Sequence, residues 1–433
     1  MPASPSRRSF LKSSSATVAA TVAAAHLVQQ HVAYAAGSDT LKLGMIGCGG
    51  RCAGAAVDAM TADPGTKLVA MCDLFEDRAQ AKLKAIQQQK PTQTAVAPDL
   101  CLAGLDAYKR VIDAADVVLI ANAAKFHPFH LRAAIDAGRH VFLEKPHAID
   151  PVGCRAVTAA CDLARQKKLS VLSGLHSRYD LGIAETIQRV MDGAIGDIIS
   201  IEENFIRTPY GNLHRDPKLS EIQYQYSNQY RFGWLCGDDV TQSLVHNLDR
   251  ATWALKEAAP LKCHGLGGRS SSVGVIYGDV FDHHSVVYHY PNGVRLYAFS
   301  RTQHNCYNED SSIILGSKGV AYPKSARITG ATNWKYEGPR PNPYVREHEV
   351  FLKAIRAGQP LNCGDYMARS TLVAVMGQLS CYSGKEITWE QASTSDFAFK
   401  PLPEQCTWTM DPPVQPNDKG IYPVPVPGQT KTV

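Results

Sequence analysis

The sequence of 433 residues has no Cys-x-x-Cys pair, no block of lysine and arginine beyond residue 12, no internal repeat and little net charge. Without Cys-x-x-Cys, the twelve cysteines do not read as zinc ligands or a disulfide framework; Cys48, Cys72 and Cys161 fall in strand or helix patterns, as small buried thiols do. Spacing leaves open one or two bridges among Cys236, Cys263, Cys306, Cys363, Cys381 and Cys406. Without a basic cluster, and with a net charge of only +5, nothing argues for a nucleic-acid partner. No metal site is expected. What is present is the composition of a soluble globular protein, 45% apolar and 20% charged, on a chain too long for one ordinary core. Two domains are therefore expected.

Residues 1–36 read as a targeting segment. Arg7-Arg8 with Phe10-Leu11-Lys12 is a twin-arginine pattern, Ala16–Val28 a weakly apolar stretch, and Ala33-Tyr34-Ala35 a small-x-small cleavage site. The stretch is short and alanine-rich for a membrane span, and retention as an amino-terminal anchor stays open. This predicts export of the folded protein by the twin-arginine machinery to the periplasm or another extracytoplasmic space.

The chain turns on Asp116–Pro146. Asp116–Ala121 is a continuous apolar run suited to a parallel strand buried on both faces, Pro128 starts a helix that Gly138 stops, and His140–Leu143 is the next strand. Glu144-Lys145-Pro146 then emerges where open α/β sheets bind ligands, and a partly desolvated Lys145 is a candidate for proton transfer. Upstream, Leu41–Ile46 runs into Gly47-Cys48-Gly49-Gly50-Arg51-Cys52. Those glycines let the backbone approach a pyrophosphate at a helix amino terminus, although Cys52 replaces the third glycine. Asp73 ends the next strand, where a carboxylate binds a ribose 2′-hydroxyl and repels a 2′-phosphate. NAD is therefore favoured over NADP, with nearby Arg78 weakening the preference. Helical patterns at Leu74–Lys90 and Val152–Lys167 and a strand at Leu169–Ser173 complete a doubly wound domain over residues 40–174.

Beyond it, Ile198–Ile206, His283–Tyr290, Val294–Ser300 and Ser311–Leu315 alternate like strands with one covered face, and Pro291-Asn292-Gly293 is a hairpin turn. The expected second domain, residues 175–400, is α/β with a large, mainly antiparallel sheet. Its helices are Leu181–Met191, Val240–Leu255, Val345–Ala357 and Tyr366–Ser383, and its free face is available for a homodimer or homotetramer. Residues 401–433 are proline-rich and predict an extended arm. Gln242, His246 and Asp249 share one helix face, with Asp238 or Asp239 as the cap. His246 reads either as an acid/base residue opposite Lys145 or as a buried histidine bonded to Asp249. Between Asn204 and Trp234, Arg207, Tyr210, Asn212, His214, Tyr224, Tyr226, Asn228, Tyr230 and Arg231 offer the aromatic faces and donors that suit a polyol or glycoside. About half of them are expected to serve packing alone. Arg178 and Arg301 are further pocket candidates.

Gly47-Cys48-Gly49-Gly50-Arg51, the run from Val117 to His127, Glu144-Lys145-Pro146 and His246-Asn247-Leu248-Asp249 together resemble the glucose-fructose oxidoreductase, inositol dehydrogenase and rhizopine-catabolism family (Gfo/Idh/MocA). The resemblance runs from about Leu41 to about Glu390. It implies that Lys145 is the catalytic lysine, that Glu144 and Lys145 contact the nicotinamide ribose, that Asn122 and His127 stand at the cofactor, and that His246 is the acid/base residue. Two departures stand out: Gln242 replaces the family's aspartate four residues before the histidine, and Asn122-Ala123 replaces a common Thr-Pro. Gln242 cannot sustain a carboxylate-histidine relay.

Export adds a constraint, since no free nicotinamide pool is expected outside the cytoplasm: the cofactor must stay bound and be restored in every cycle. The resemblance offers two such chemistries, paired oxidation and reduction of sugars, or glycoside cleavage through transient oxidation and elimination. A non-catalytic sugar-binding protein on the same fold is the reading from another class.

Overall fold

The computed structural model describes residues 40–211 and 214–432. The twin-arginine pattern, the apolar stretch and the cleavage site therefore lie outside the described residues, as does Asn212.

The first sheet is built from β1 (Leu41–Ile46), β2 (Thr66–Asp73), β3 (Cys101–Ala103), β4 (Val117–Ile120), β5 (His140–Leu143) and β6 (Val171–Ser173), in the order β3-β2-β1-β4-β5-β6. The pairs β2–β3, β1–β4, β4–β5 and β5–β6 are parallel. This is the order of two mononucleotide-binding halves that reverse direction between β1 and β4, and the crevice at that reversal is where such sheets take a ligand. Every residue of β4 is buried, as its uninterrupted apolar run requires. The helix Pro151–Gln166 starts as its sequence dictates, with Pro151 in the first turn and the Asp150 carboxylate accepting from the Gly153 amide at 2.8 Å. β3 has only three residues after a polar loop, too few to show any alternation.

The second sheet has nine strands, β7 (Ile198–Arg207), β8 (Lys262–Gly268), β9 (His283–His289), β10 (Arg295–Thr302), β11 (Glu309–Gly316), β12 (Gly319–Tyr322), β13 (Arg327–Gly330), β14 (Trp334–Lys335) and β15 (Ile387–Thr388). Their order is β14-β13-β12-β11-β7-β10-β9-β8-β15. Only β7–β10 is parallel; the other pairs are antiparallel. The β9–β10 hairpin turns through Asn292 (φ 62°) and Gly293 (φ 81°), left-handed conformations that Asn and Gly tolerate best. β8 escapes a period-two reading because it is glycine-rich, and packing supplies the reason. A Cβ on Gly265 would stand 2.6 Å from the Cys381 sulfur of the helix Gly364–Ser383, so the strand is stripped of side chains to let that helix lie close. The opposite face exposes Leu266, Tyr297, Leu315 and Ile199.

All twelve cysteines are free thiols, ten of them buried, so none of the bridges left open by spacing forms. Residues 401–432 form no sheet and only one short helical turn, yet they pack down: Cys406, Tyr422 and Thr432 are buried. Among the described residues no helix is long and apolar enough to cross a membrane, and no group of three or more His, Cys, Asp or Glu side chains is arranged to hold a metal ion.

Candidate active site

A cavity of about 740 Å³ opens at the reversal point of the first sheet, lined by Gly47, Gly49, Gly50 and Arg51 after β1, Asp73, Phe75 and Arg78 after β2, and Asn122 after β4. Gly47 has φ +97° and an added Cβ would meet the Asn122 backbone at 2.9 Å, so only glycine fits this turn. Gly49 and Gly50 have no atom within 4 Å of an added Cβ, which leaves backbone open to a bound group. The helix Gly50–Ala62 begins there with no side-chain cap and no acidic residue in its first turn, so its amide donors and dipole are free for an anion. Cys52 is fully buried and its thiol reaches the Ile46 and Leu119 carbonyls at 3.6 Å. A small thiol thus fits the tight helix–sheet contact that the third glycine would otherwise serve. The Asp73 carboxylate accepts from the Cys48 amide at 2.7 Å and the Phe75 amide at 3.1 Å, fixed at the cavity edge with acceptor capacity to spare. Arg78 lies over the Phe75 ring at 4.4 Å. Open glycine backbone, an uncapped helix start and a fixed carboxylate are the parts that a dinucleotide's pyrophosphate and ribose need.

Glu144 and His127, read from the resemblance as cofactor contacts, do not line this cavity. Glu144 is buried and turns back to Arg51, with 2.5 Å between Oε1 and Nε, while its other oxygen accepts from the Lys145 amide at 3.0 Å. His127 is buried with Nδ1 2.7 Å from the Pro146 carbonyl and Nε2 3.1 Å from the Asn122 carbonyl. Burial lowers its pKa to about 4 against the pull of the Pro146 carbonyl. His127 therefore braces the turn that carries Lys145. The Lys145–Pro146 peptide is cis.

Lys145 Nζ donates to the Gln242 carbonyl at 2.9 Å. The expected α-helix from Val240 is instead a π-turn over Val240–Leu244 that passes into the α-helix Val245–Ala254. The wider turn alters which groups face the site, and such turns recur at functional sites. Neither expected cap caps: Asp238 sits at φ 66° and accepts from the Phe281 amide and the Tyr382 hydroxyl, and Asp239 pairs with Arg207 at 2.6 Å. His246 follows one turn after Gln242. Its Nδ1 is buried without a hydrogen-bond partner, and its ring meets His176 at 4.8 Å. Burial first, then the charges of Lys145 and Arg250 with His176, push the His246 pKa well below its ordinary value. His176 is lowered to about 3 by burial, aided by Arg250 and Arg51. His246 is thus a neutral imidazole across the neutral range, free to accept a proton.

Asp249 is not its partner. That carboxylate pairs with Arg178 at 2.8 Å and accepts from Ser370 at 2.8 Å, and Arg178 also bonds Glu257 at 2.8 Å and lies over the Tyr366 ring at 3.8 Å. Arg178 is therefore committed to packing, which corrects its reading as a substrate residue. Arg301 donates to the Tyr307 carbonyl and lines neither site opening. Of the remaining candidates, Arg207, Tyr210, Tyr230, Arg231 and Gln242 line a cleft of about 10 Å³, little more than one water, and Tyr230 also lines the large cavity. Gln242 bonds Ser243 through its side chain, and Arg207 lies over Tyr210 at 3.6 Å. Tyr224 is buried in packing, Tyr226 and Asn228 are buried in the wall of the large cavity, and His214 is exposed on the surface. Sequence reasoning missed His176 and Tyr344, whose rings stack at 4.2 Å with Arg51 lying 4.5 Å over Tyr344. The signal for His176 was its place just after β6, at the carboxyl end of a parallel strand.

Residues 41–173 match the model of an oxidoreductase family with an NAD-binding Rossmann fold. Among curated proteins, the chain is 26% identical over 193 residues to an inositol 2-dehydrogenase/D-chiro-inositol 3-dehydrogenase of Halalkalibacterium halodurans, covering 45% of this chain and 46% of that protein. It is 28% identical over 198 residues to a glycosyl hydrolase family 109 protein of Phocaeicola vulgatus, covering 45% of this chain and 38% of that one. The matches thus span less than half of either relative. Among solved structures, an aldose-aldose oxidoreductase from Caulobacter crescentus, complexed with glycerol, superposes with a TM-score of 0.62 at 19% identity, over 81% of this chain and 99% of that one. A levoglucosan dehydrogenase in complex with NADH and levoglucosan gives 0.62 at 16%, over 81% and 99%. Fold, cavity and match agree: residues 41–173 form a Rossmann fold that matches the NAD-binding domain of an oxidoreductase family, followed by a second domain whose sheet resembles that of these structures.

Proposed function

We propose that the protein is an exported nicotinamide-dependent oxidoreductase acting on a sugar, polyol or glycoside, with a tightly held cofactor restored in each turnover. The observation that carries this reading is Lys145 Nζ set against the Gln242 carbonyl one turn ahead of His246, beyond the carboxyl end of β5 and one residue past Glu144, which pairs with Arg51 in the wall of the dinucleotide-shaped cavity. A nicotinamide bound there supplies hydride acceptance and return. Gly49, Gly50 and the helix start hold the pyrophosphate, and Asp73 holds the ribose. Lys145 orients and polarises the reacting hydroxyl, and neutral His246 takes its proton and later gives it back. Tyr210, Tyr230 and Arg207 present aromatic faces and a guanidinium to the sugar. The open sheet face supports a homo-oligomer. The test is to denature the purified protein, prepared without added nucleotide, and assay released nicotinamide. Near-stoichiometric NAD(H) is expected; none, with none regained on adding NAD or NADP, would leave the sugar-binding reading.

The similarity to family 109 glycosyl hydrolases favours a second reading on the same residues, glycoside cleavage through transient oxidation and elimination. Product analysis in deuterated water separates the two. Elimination releases an aglycone and exchanges the acidified C–H for deuterium, whereas paired oxidation and reduction leaves an oxidised sugar and a reduced one.

Two further outcomes follow from the geometry. Asp73→Ser removes a charged acceptor for the ribose and should weaken NAD binding about tenfold or more while narrowing the preference over NADP, measured by titrating cofactor-stripped protein. Because the His246 pKa is lowered, its neutral form persists as the pH falls, so the acid limb of kcat against pH should lie well below 6.5. A limb at or above 6.5 would remove His246 from the proton path.

A further inference from the structure

We propose that the carboxyl-terminal segment Pro403–Trp408 is the outer wall of the adenosine end of the dinucleotide site and holds the cofactor against release. The proposal rests on the nicotinamide reading above and adds to it a binding element supplied by the far end of the chain.

The cavity that begins at the glycine turn is closed on its outer side by Pro403, Glu404, Cys406, Thr407 and Trp408. Their position along the cavity is fixed by Asp73. A carboxylate ending the second strand marks the ribose of the adenosine half, so whatever packs just past Asp73 stands beside the adenine. Trp408 does so, its ring 5.2 Å from Phe75 and 6.2 Å from Tyr226, nearly parallel to the latter at 9°. The Tyr226 hydroxyl donates to the Thr407 carbonyl at 3.2 Å, which ties the wall to the second domain. A flat purine is held by apolar and aromatic faces, and here two of the three rings belong to neither the glycine turn nor β2.

The segment is anchored on both sides of this wall. Before it, Lys125 Nζ donates to the Phe399 carbonyl at 2.8 Å and the Phe399 amide donates to Asp150 at 3.1 Å. After it, Gln225 donates to the Val414 carbonyl at 2.7 Å, Arg269 donates to the Tyr422 carbonyl at 2.6 Å, and Tyr422 is fully buried. Between the anchors, Glu404 and Thr407 are exposed and Trp408 is half-buried, while Cys406 is buried against the core and the Tyr226 hydroxyl holds the Thr407 carbonyl, so 403–408 is a strip fixed at its ends and its middle. A dinucleotide in the cavity lies against this strip, and its residence time then depends on the stacking of Trp408.

The test follows cofactor loss from the full-length holoprotein. Bound nicotinamide is counted over a time course of dialysis for the wild type, Trp408→Ala and Trp408→Phe. The proposal expects at least tenfold faster loss from Trp408→Ala and a largely restored rate in Trp408→Phe, since a merely structural deletion would not spare stacking. Loss at the wild-type rate from folded Trp408→Ala overturns it. In case that variant fails to fold, hydrogen exchange is measured on the wild type, stripped and then reloaded with NAD. Slowed exchange at amides 404–408 on reloading supports the wall, and unchanged exchange there with protection at Gly49–Arg51 overturns it. A wild type that neither contains nor regains a dinucleotide overturns the nicotinamide reading instead, and the wall with it.

Discussion

Lys145→Ala is expected to abolish turnover of the sugar substrate, by several orders of magnitude, while the released-nicotinamide assay still finds the cofactor bound. Proton transfer from a positioned side chain contributes about 10²–10⁴-fold, and the orientation lost with Nζ adds to it. The cofactor is expected to stay because the contacts proposed for it lie elsewhere, at Gly49, Gly50 and Asp73 in the cavity wall, and because Glu144 is held by Arg51. His127 continues to brace the turn through the Pro146 carbonyl, so the deletion removes one amine and little structure. Unchanged turnover in the variant would sink the mechanism. Lost turnover together with lost cofactor would make Lys145 a binding residue and move the chemistry to His246 alone.

Arg178→Ala should have the largest effect on stability. Asp249 has no exposure, and its carboxylate is held by Arg178 and one serine hydroxyl. Breaking a buried ion pair by deleting one partner costs about 3–5 kcal/mol, because the remaining charge is left buried and uncompensated. The guanidinium also fills the space over Tyr366, so packing is lost with the charge. Urea denaturation should show a lower midpoint with little change in slope. Arg178→Met with Asp249→Leu, which removes both charges and keeps much of the volume, should recover a large part of the loss. A single variant as stable as the wild type would overturn this account of the Arg178–Asp249 pair.

These two residues show what the sequence could reveal and what it could not. The place of Lys145 just past a parallel strand was legible, because buried parallel strands announce themselves as unbroken apolar runs. Arg178 stood in an equally suggestive place, five residues past β6, but its partner lies 71 positions away and a long-range ion pair leaves no local trace. The helix of His246 was legible as a helix and misread in detail. Gln242, His246 and Asp249 fall on one face only if every turn is α-helical, and the π-turn at Val240–Leu244 breaks that count. The glycine-rich β8 was hidden because its sequence answers to the helix lying on it rather than to its own strand period. Residues 401–433 read as a proline-rich extended arm, and the packing of 401–432 was not foreseen, because isolated anchors such as Trp408 and Tyr422 carry no periodicity.

The wall over the cavity also has a history within each molecule. More than 250 residues separate Pro146, which completes the turn at Lys145, from Pro403. At synthesis rates of about 5–20 residues per second, the turn at Lys145 is made roughly 13–50 s before the segment proposed to wall the cavity. On the proposal above, a newly made chain presents its dinucleotide crevice uncovered until residues 403–408 have followed.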